Sequence, residues 1–107
     1  MDGSKTLNDI KSAGGWFVGE YAALVYELYE KLKNDNEYKT EFIKQIYLET
    51  GRDNDLSGTR TRVNSLMRII QRHELVEALE YIIKSDNINK NDGNAVKAAK
   101  KNLAQIK

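Results

Sequence analysis

Apolar residues recur at helical spacing along most of this chain, and that periodicity limits its possible folds more than any other feature. In residues 16–33 the apolar side chains share one broad face of a helix, and charged side chains lie opposite. No long segment shows the alternation of apolar and polar residues that is typical of strands. The 107 residues include no proline, the strongest helix breaker. The sequence therefore predicts an all-α fold.

Interruptions in the pattern predict a compact bundle of five or six short helices in a single domain over residues 1–107. Gly14 with Gly15, the polar residues 34–36 and Gly51 supply helix breaks and caps. After Arg72 the apolar stripe shifts phase by about 150°, which predicts another boundary. The predicted helices are 4–12, 16–33, 36–50, 57–72, 74–85 and 94–105. Residues 1–13 are expected to form an N-terminal arm, either short and helical or loosely ordered.

The apolar stripes also predict which side chains form the core. Burial on one face of each helix removes apolar surface from water, the main favourable contribution to folding. Eight residues are predicted to be buried: Leu24, Leu28, Phe42, Ile46, Leu66, Ile70, Leu79 and Ile83.

Small residues stand at every fourth position early in the second helix, at Gly15, Gly19 and Ala23. Such a ridge allows the backbone of another helix to approach closely. Packing within the chain is the favoured interpretation, and a dimer interface flanked by Trp16 and Tyr26 is the alternative.

Composition excludes several classes of protein. Without cysteine, the chain can form neither a disulfide nor a thiolate metal site. No segment reaches the length of uncharged apolar sequence that a membrane span needs, and residues 1–10 do not resemble a secretion signal. We expect a cytoplasmic protein with no membrane contact, no metal and no cofactor.

The arginines are the strongest indication of function. All five lie between positions 52 and 72, whereas the lysines are spread over the rest of the chain. Arginine presents a rigid fork of donors that fits phosphates, carboxylates and guanine edges. Because the net charge is only +1, affinity for a polyanion must come from such a local concentration.

The fourth helix places most of these arginines on one polar face. At 100° per residue, an arc of about 140° contains only polar side chains, and the apolar side chains lie opposite. Arginine and amide side chains match base edges, and hydroxyls commonly contact phosphates. Helices 36–50 and 57–72 are expected to form a helix-turn-helix-like pair with the arginine helix second. The predicted contact residues for nucleic acid or another partner are Arg60, Thr61, Asn64, Arg68, Gln71 and Arg72, and Ser65 lies at the edge of the arc.

Two other interpretations of this face remain open. The arginines can pair with Glu74, Glu77 or acids of neighbouring helices and so serve the fold alone. Alternatively, the domain is a protein-interaction module or a dimerising adaptor whose arginines contact acidic side chains of a partner.

Residues 53–58 partly match the calcium loop of an EF-hand. Asp53, Asp55, Ser57 and Gly58 take the first four characteristic positions, but Asn64 stands where a bidentate glutamate should close the site. Capping of the following helix by Asp55 or Ser57 explains the same residues better.

The sequence provides no indication of catalysis. His73, the sole histidine, stands at a predicted helix junction, where capping or solvation accounts for it. No nucleophile motif or phosphate-binding glycine loop is present. We therefore expect a non-enzymatic binding module.

Overall fold

The structure is a computed structural model that describes residues 3–85 and 93–106, with side chains described for 5–85 and 94–106. Its helices are α1 Gly3–Ala13, α2 Gly15–Asn34, α3 Asn36–Thr50, α4 Leu56–Gln71, α5 Leu75–Lys84 and α6 Gly93–Ile106. The described ranges contain no strand, and each boundary lies within one residue of its predicted position. The prediction of an all-α bundle is confirmed.

The breaks between helices follow from local backbone chemistry. Gly14 has φ 89, and a Cβ built there would lie 2.6 Å from a guanidinium nitrogen of Arg62, so this junction requires glycine. Gly51 ends α3 in the left-handed conformation. Asp35 begins α3 by accepting a hydrogen bond from the Tyr38 N–H at 3.0 Å. One residue therefore separates α1 from α2, and one separates α2 from α3, which turns the chain sharply at both places.

The core confirms most of the predicted burial and corrects one position. Five of the eight predicted residues are buried, and Leu28 and Ile83 are half-buried. Leu24 is 42% exposed, so that prediction is wrong. The buried stripe of α2 is centred on Val25 and Leu32, and Leu24 lies about 100° around the helix from Val25.

The small-residue ridge of α2 packs against α6. A Cβ on Gly19 would lie 2.6 Å from the Ala95 carbonyl oxygen, so the two backbones touch where the side chain is missing. One turn later, the Ala23 N–H donates to Asn102 Oδ1 at 2.7 Å. Packing within the chain, the favoured interpretation of this ridge, is confirmed.

Helix α4 lies against α1, α2, α3 and α5. It buries four apolar side chains, Val63, Leu66, Ile69 and Ile70, together with two hydroxyl side chains, Thr59 and Ser65. What remains open to solvent on α4 is a narrow polar strip. None of the helices that the structure describes is both long and apolar enough to cross a membrane.

Candidate nucleic-acid interface

Arg62 is held inside the fold. It pairs with Asp53 at 2.9 Å, and its Nη1 donates to the Ala13 carbonyl oxygen at 2.7 Å, which closes the end of α1. The hydrogen bond from Arg62 is the main reason that the pKa of Asp53 lies below its usual value. Arg62 also lies over the Trp16 ring, and the guanidinium carbon of Arg52 is 4.1 Å from the centroid of the same ring.

Arg68 and Arg72 both pair with Asp9 of α1. The Arg72 Nη2 lies 2.7 Å from Asp9 Oδ2, and its Nε lies 3.1 Å from Glu74 Oε1. The Arg68 Nη2 lies 2.9 Å from Asp9 Oδ1. Both carboxylates are buried, and Glu74 Oε2 has no hydrogen-bond partner among the described residues. This cluster fastens the N-terminal helix to the C-terminal half of α4.

These contacts correct the predicted polar face at one edge. Arg72 was predicted as a partner contact, but its side chain is only 24% exposed and its donors face two internal carboxylates. Ser65 was placed at the edge of the same arc, but it is fully buried and accepts a hydrogen bond from Arg68. Helix α1 covers this edge. The expected pairing of Arg72 with Glu74 is confirmed, and so is pairing with an acid of a neighbouring helix, although the sequence did not identify that acid as Asp9.

The aspartates of the calcium-like loop have structural roles instead. Asp53 Oδ2 accepts a hydrogen bond from Thr59 in addition to its contacts with Arg62. Asp55 caps α4 by accepting from the Gly58 N–H at 3.1 Å, and this bond is the main cause of its lowered pKa. The Ser57 hydroxyl also donates to Asp55. The capping interpretation is confirmed.

A polar cleft of about 300 Å³ opens where the end of α2, the start of α3 and the C-terminal half of α4 meet. Its cationic side chains are Lys33, Lys39 and Arg68, and no carboxylate is among the described residues that line it. Three amide side chains and three less polar side chains complete the lining: Asn36, Asn64, Gln71, Tyr29, Leu32 and Met67. We call this site the basic cleft.

Lys39 connects α3 to α4 across the basic cleft. Its Nζ donates to Asn64 Oδ1, which fixes both side chains at the cleft wall. Burial lowers the pKa of Lys39, and the neighbouring charge of Arg60 lowers it further. An anion in the cleft would offset both effects, because it favours the charged form of the lysine.

The structure therefore places the predicted contact residues in three different environments. Asn64, Arg68 and Gln71 line the basic cleft. Arg60 is exposed beside Lys39, and Thr61 is exposed with its hydroxyl bonded to the Ser57 carbonyl. Arg72 faces away into the ion-pair cluster.

Two lysines of the basic cleft, Lys33 and Lys39, were not among the predicted contact residues. They had been grouped with the scattered lysines, because the helical periodicity of one segment does not show which lysines of another segment face it. The single-residue break at Asp35 was the available signal, since it returns the chain so that residues on either side approach each other.

Beside the basic cleft lies a second groove around Tyr26, which is 53% exposed. Tyr29, Lys33 and Gln71 line both sites, but this groove also contains Glu27 and Glu30 and so is mixed in charge. His73 borders this groove. Its backbone has φ 59, and its backbone N–H donates a hydrogen bond to the Ile70 carbonyl oxygen at the end of α4. This confirms a capping position for the histidine.

Compared with protein-family models, curated proteins and solved structures, the chain matches none. Among the described residues no group of three or more histidine, aspartate or glutamate side chains could hold a metal ion.

Proposed function

We propose that this chain is a non-enzymatic helical module that binds nucleic acid through the basic cleft. The single observation that supports the proposal most strongly is the lining of the cleft, which brings together three cations and three amides with no carboxylate among its described residues. Asp53 and Glu74 neutralise arginines outside the cleft, and Asp9 pairs with Arg68 at its edge. The positive charge of the cleft therefore comes mainly from Lys33 and Lys39.

The chemistry of the cleft suits a phosphate backbone with bases attached. Lysine and arginine neutralise phosphates and release counterions, which provides affinity without regard to sequence. Asparagine and glutamine present donor and acceptor pairs to base edges. Arg60 extends the positive surface from the cleft along α4.

A salt titration tests the proposal. The fluorescence anisotropy of a labelled mixed-sequence oligonucleotide is measured with the wild-type chain between about 50 and 200 mM salt. The double variant Lys33→Ala with Lys39→Ala should weaken binding about tenfold or more. It should also reduce the slope of log binding constant against log salt concentration by about one for each phosphate that the chain no longer neutralises.

The matched control removes the same charge elsewhere. Lys44→Ala with Lys84→Ala changes two exposed lysines that do not line the cleft, and Lys44 lies about 140° around α3 from Lys39. This variant should keep nearly full affinity. Equal weakening by both double variants would attribute binding to net charge, and an oligonucleotide that does not bind the wild-type chain would refute the proposal.

A protein partner is the second candidate function, and the groove around Tyr26 favours it. This groove places Glu27 and Glu30 beside Lys33 and next to an exposed aromatic ring, so two copies of the chain can meet with opposite charges paired. Light scattering should then give the mass of a dimer that Tyr26→Ser converts to a monomer. A wild-type monomer that binds the oligonucleotide would reject this alternative.

A further inference from the structure

The basic cleft has an apolar floor as well as a charged rim. Leu32 is 1% exposed, and Met67 and Tyr29 are half-buried along the same cavity. Contacts with phosphates alone do not need such a surface, because phosphate oxygens bind to donors and cations. The floor therefore fits a flat, less polar group that enters the cleft behind the phosphate.

The position of α4 does not suit a double helix. A recognition helix inserts into the major groove as a projecting element. Helix α4 lies against four other helices, and the cations of the basic cleft surround a concavity between α2, α3 and α4. In a duplex the bases are stacked and paired inside, so their flat faces cannot reach the floor of this cavity. A base of an unpaired strand can turn outward and do so.

We infer that the basic cleft holds one unpaired nucleotide of a single-stranded nucleic acid, with its base against Tyr29 and Met67 and its phosphate at the cationic rim. This inference rests on the proposed function and adds the class of nucleic acid that the site accepts. A volume of about 300 Å³ falls at the lower end of the range for small-ligand sites, as expected for a cavity that takes one unit of a chain.

Each part of the lining then has a separate task. The Tyr29 ring provides a stacking surface that accepts any base. Lys33 Nζ lies over the face of that ring, 6.0 Å from its centroid. When a base stacks on this face the ammonium group must move off the ring, and it is then close enough to meet the phosphate of the same nucleotide. Asn64 and Gln71 lie on α4 at the cleft wall, where their amides can bond to the edge of the base.

Anisotropy titrations at one salt concentration test the inference. A labelled single-stranded oligonucleotide is compared with the same oligonucleotide annealed to its complement. The wild-type chain should bind the single strand at least tenfold more tightly than the duplex. Tyr29→Leu should weaken single-strand binding by about 5- to 100-fold, since removing the aromatic partner of a stacked base has effects of this size.

Tyr29→Phe is the matched control, because it keeps the ring and should keep the affinity, and circular dichroism of both variants shows whether the fold is intact. Equal or tighter binding of the duplex overturns the inference, as does a Tyr29→Leu variant that binds the single strand with wild-type affinity. In both cases the weaker binding caused by Lys33→Ala with Lys39→Ala would leave the proposed function standing. Failure of the wild-type chain to bind either form would overturn both proposals.

Discussion

The two sides of α4 use the same residue type in opposite ways. On the side facing α1, Arg68 and Arg72 pair with the buried Asp9, and Arg72 also pairs with Glu74. On the side facing α3, Arg60 is exposed beside Lys39, whose pKa is lowered mainly by burial and further by the charge of Arg60. The difference between the two sides shows that clustering of arginines in sequence does not define a binding surface. The carboxylates that the neighbouring elements contribute decide which arginines stabilise the fold.

The largest effect on stability should come from the side facing α1. Arg72→Ala leaves Asp9 with a weaker partner and leaves Glu74, whose Oε2 already has no described partner, buried as an unpaired charge. We expect the free energy of unfolding to fall by about 3 to 5 kcal/mol, measured by urea denaturation at pH 7. Arg72→Lys keeps the charge without the fork of donors and should lose less. A change below about 0.5 kcal/mol would show that Arg72 is not a structural residue and that the side of α4 facing α1 does not stabilise the fold.

Lowering the pH should reduce the free energy of unfolding by protonating Asp53, which lies in the loop that precedes α4. Because the pKa of Asp53 in the folded chain lies below its ordinary value of 3.8, the stabilisation it provides is complete above that value and is lost as the pH falls through the lower folded pKa. Asp53→Asn should cost about 2 kcal/mol at pH 7, the usual size for a hydrogen bond to a charged group.

The pH dependence distinguishes Asp53 from Asp55, whose pKa is also lowered. Thermal melts of the wild type and Asp53→Asn between pH 7 and about pH 2 should converge at the acid end, because the wild-type carboxyl is then protonated as well. A constant difference in melting temperature over this range would mean that the ionised form of Asp53 does not stabilise the fold.

The smallest effect on stability should be found on the side facing α3. Arg60→Ala should change the free energy of unfolding by no more than about 0.5 kcal/mol, as is usual for exposed positions without buried partners. The same variant should flatten the salt slope of oligonucleotide binding by about one. Thermal melts and anisotropy titrations on one preparation measure both. A large loss of stability, or unchanged binding, would show that the two sides of α4 do not differ as proposed.

Much of the fold could be predicted from sequence because local signals specify it. Helical periodicity located the six helices of residues 3–85 and 93–106, and capping chemistry at Asp35, Gly51 and Asp55 located the ends of α2, α3 and α4. The error at Leu24 arose because an apolar face was drawn too wide, and only the packing of neighbouring helices shows where burial stops. Close packing of Gly19 against another helix was predicted correctly, because a glycine within a helix usually marks a place where a second backbone approaches.

The site was less predictable because its parts are distant in sequence. Asp9 lies 59 residues from Arg68 and 63 from Arg72, and nothing in the local pattern links them. Lys39 meets Asn64 across 25 residues. Charge composition alone could not distinguish these pairs from the many alternatives, because long-range pairing depends on how whole helices dock.

The ion-pair cluster between α1 and α4 also has a consequence for the rates of folding and unfolding. The entropy of closing a loop of about 60 residues must be lost before these contacts form, whereas the short connections between α2, α3 and α4 let those helices associate early. We therefore expect the cluster to form after α2, α3 and α4 have associated. An interaction that is absent from the transition state slows unfolding without making folding faster, so Arg72→Ala should raise the unfolding rate more than it lowers the folding rate.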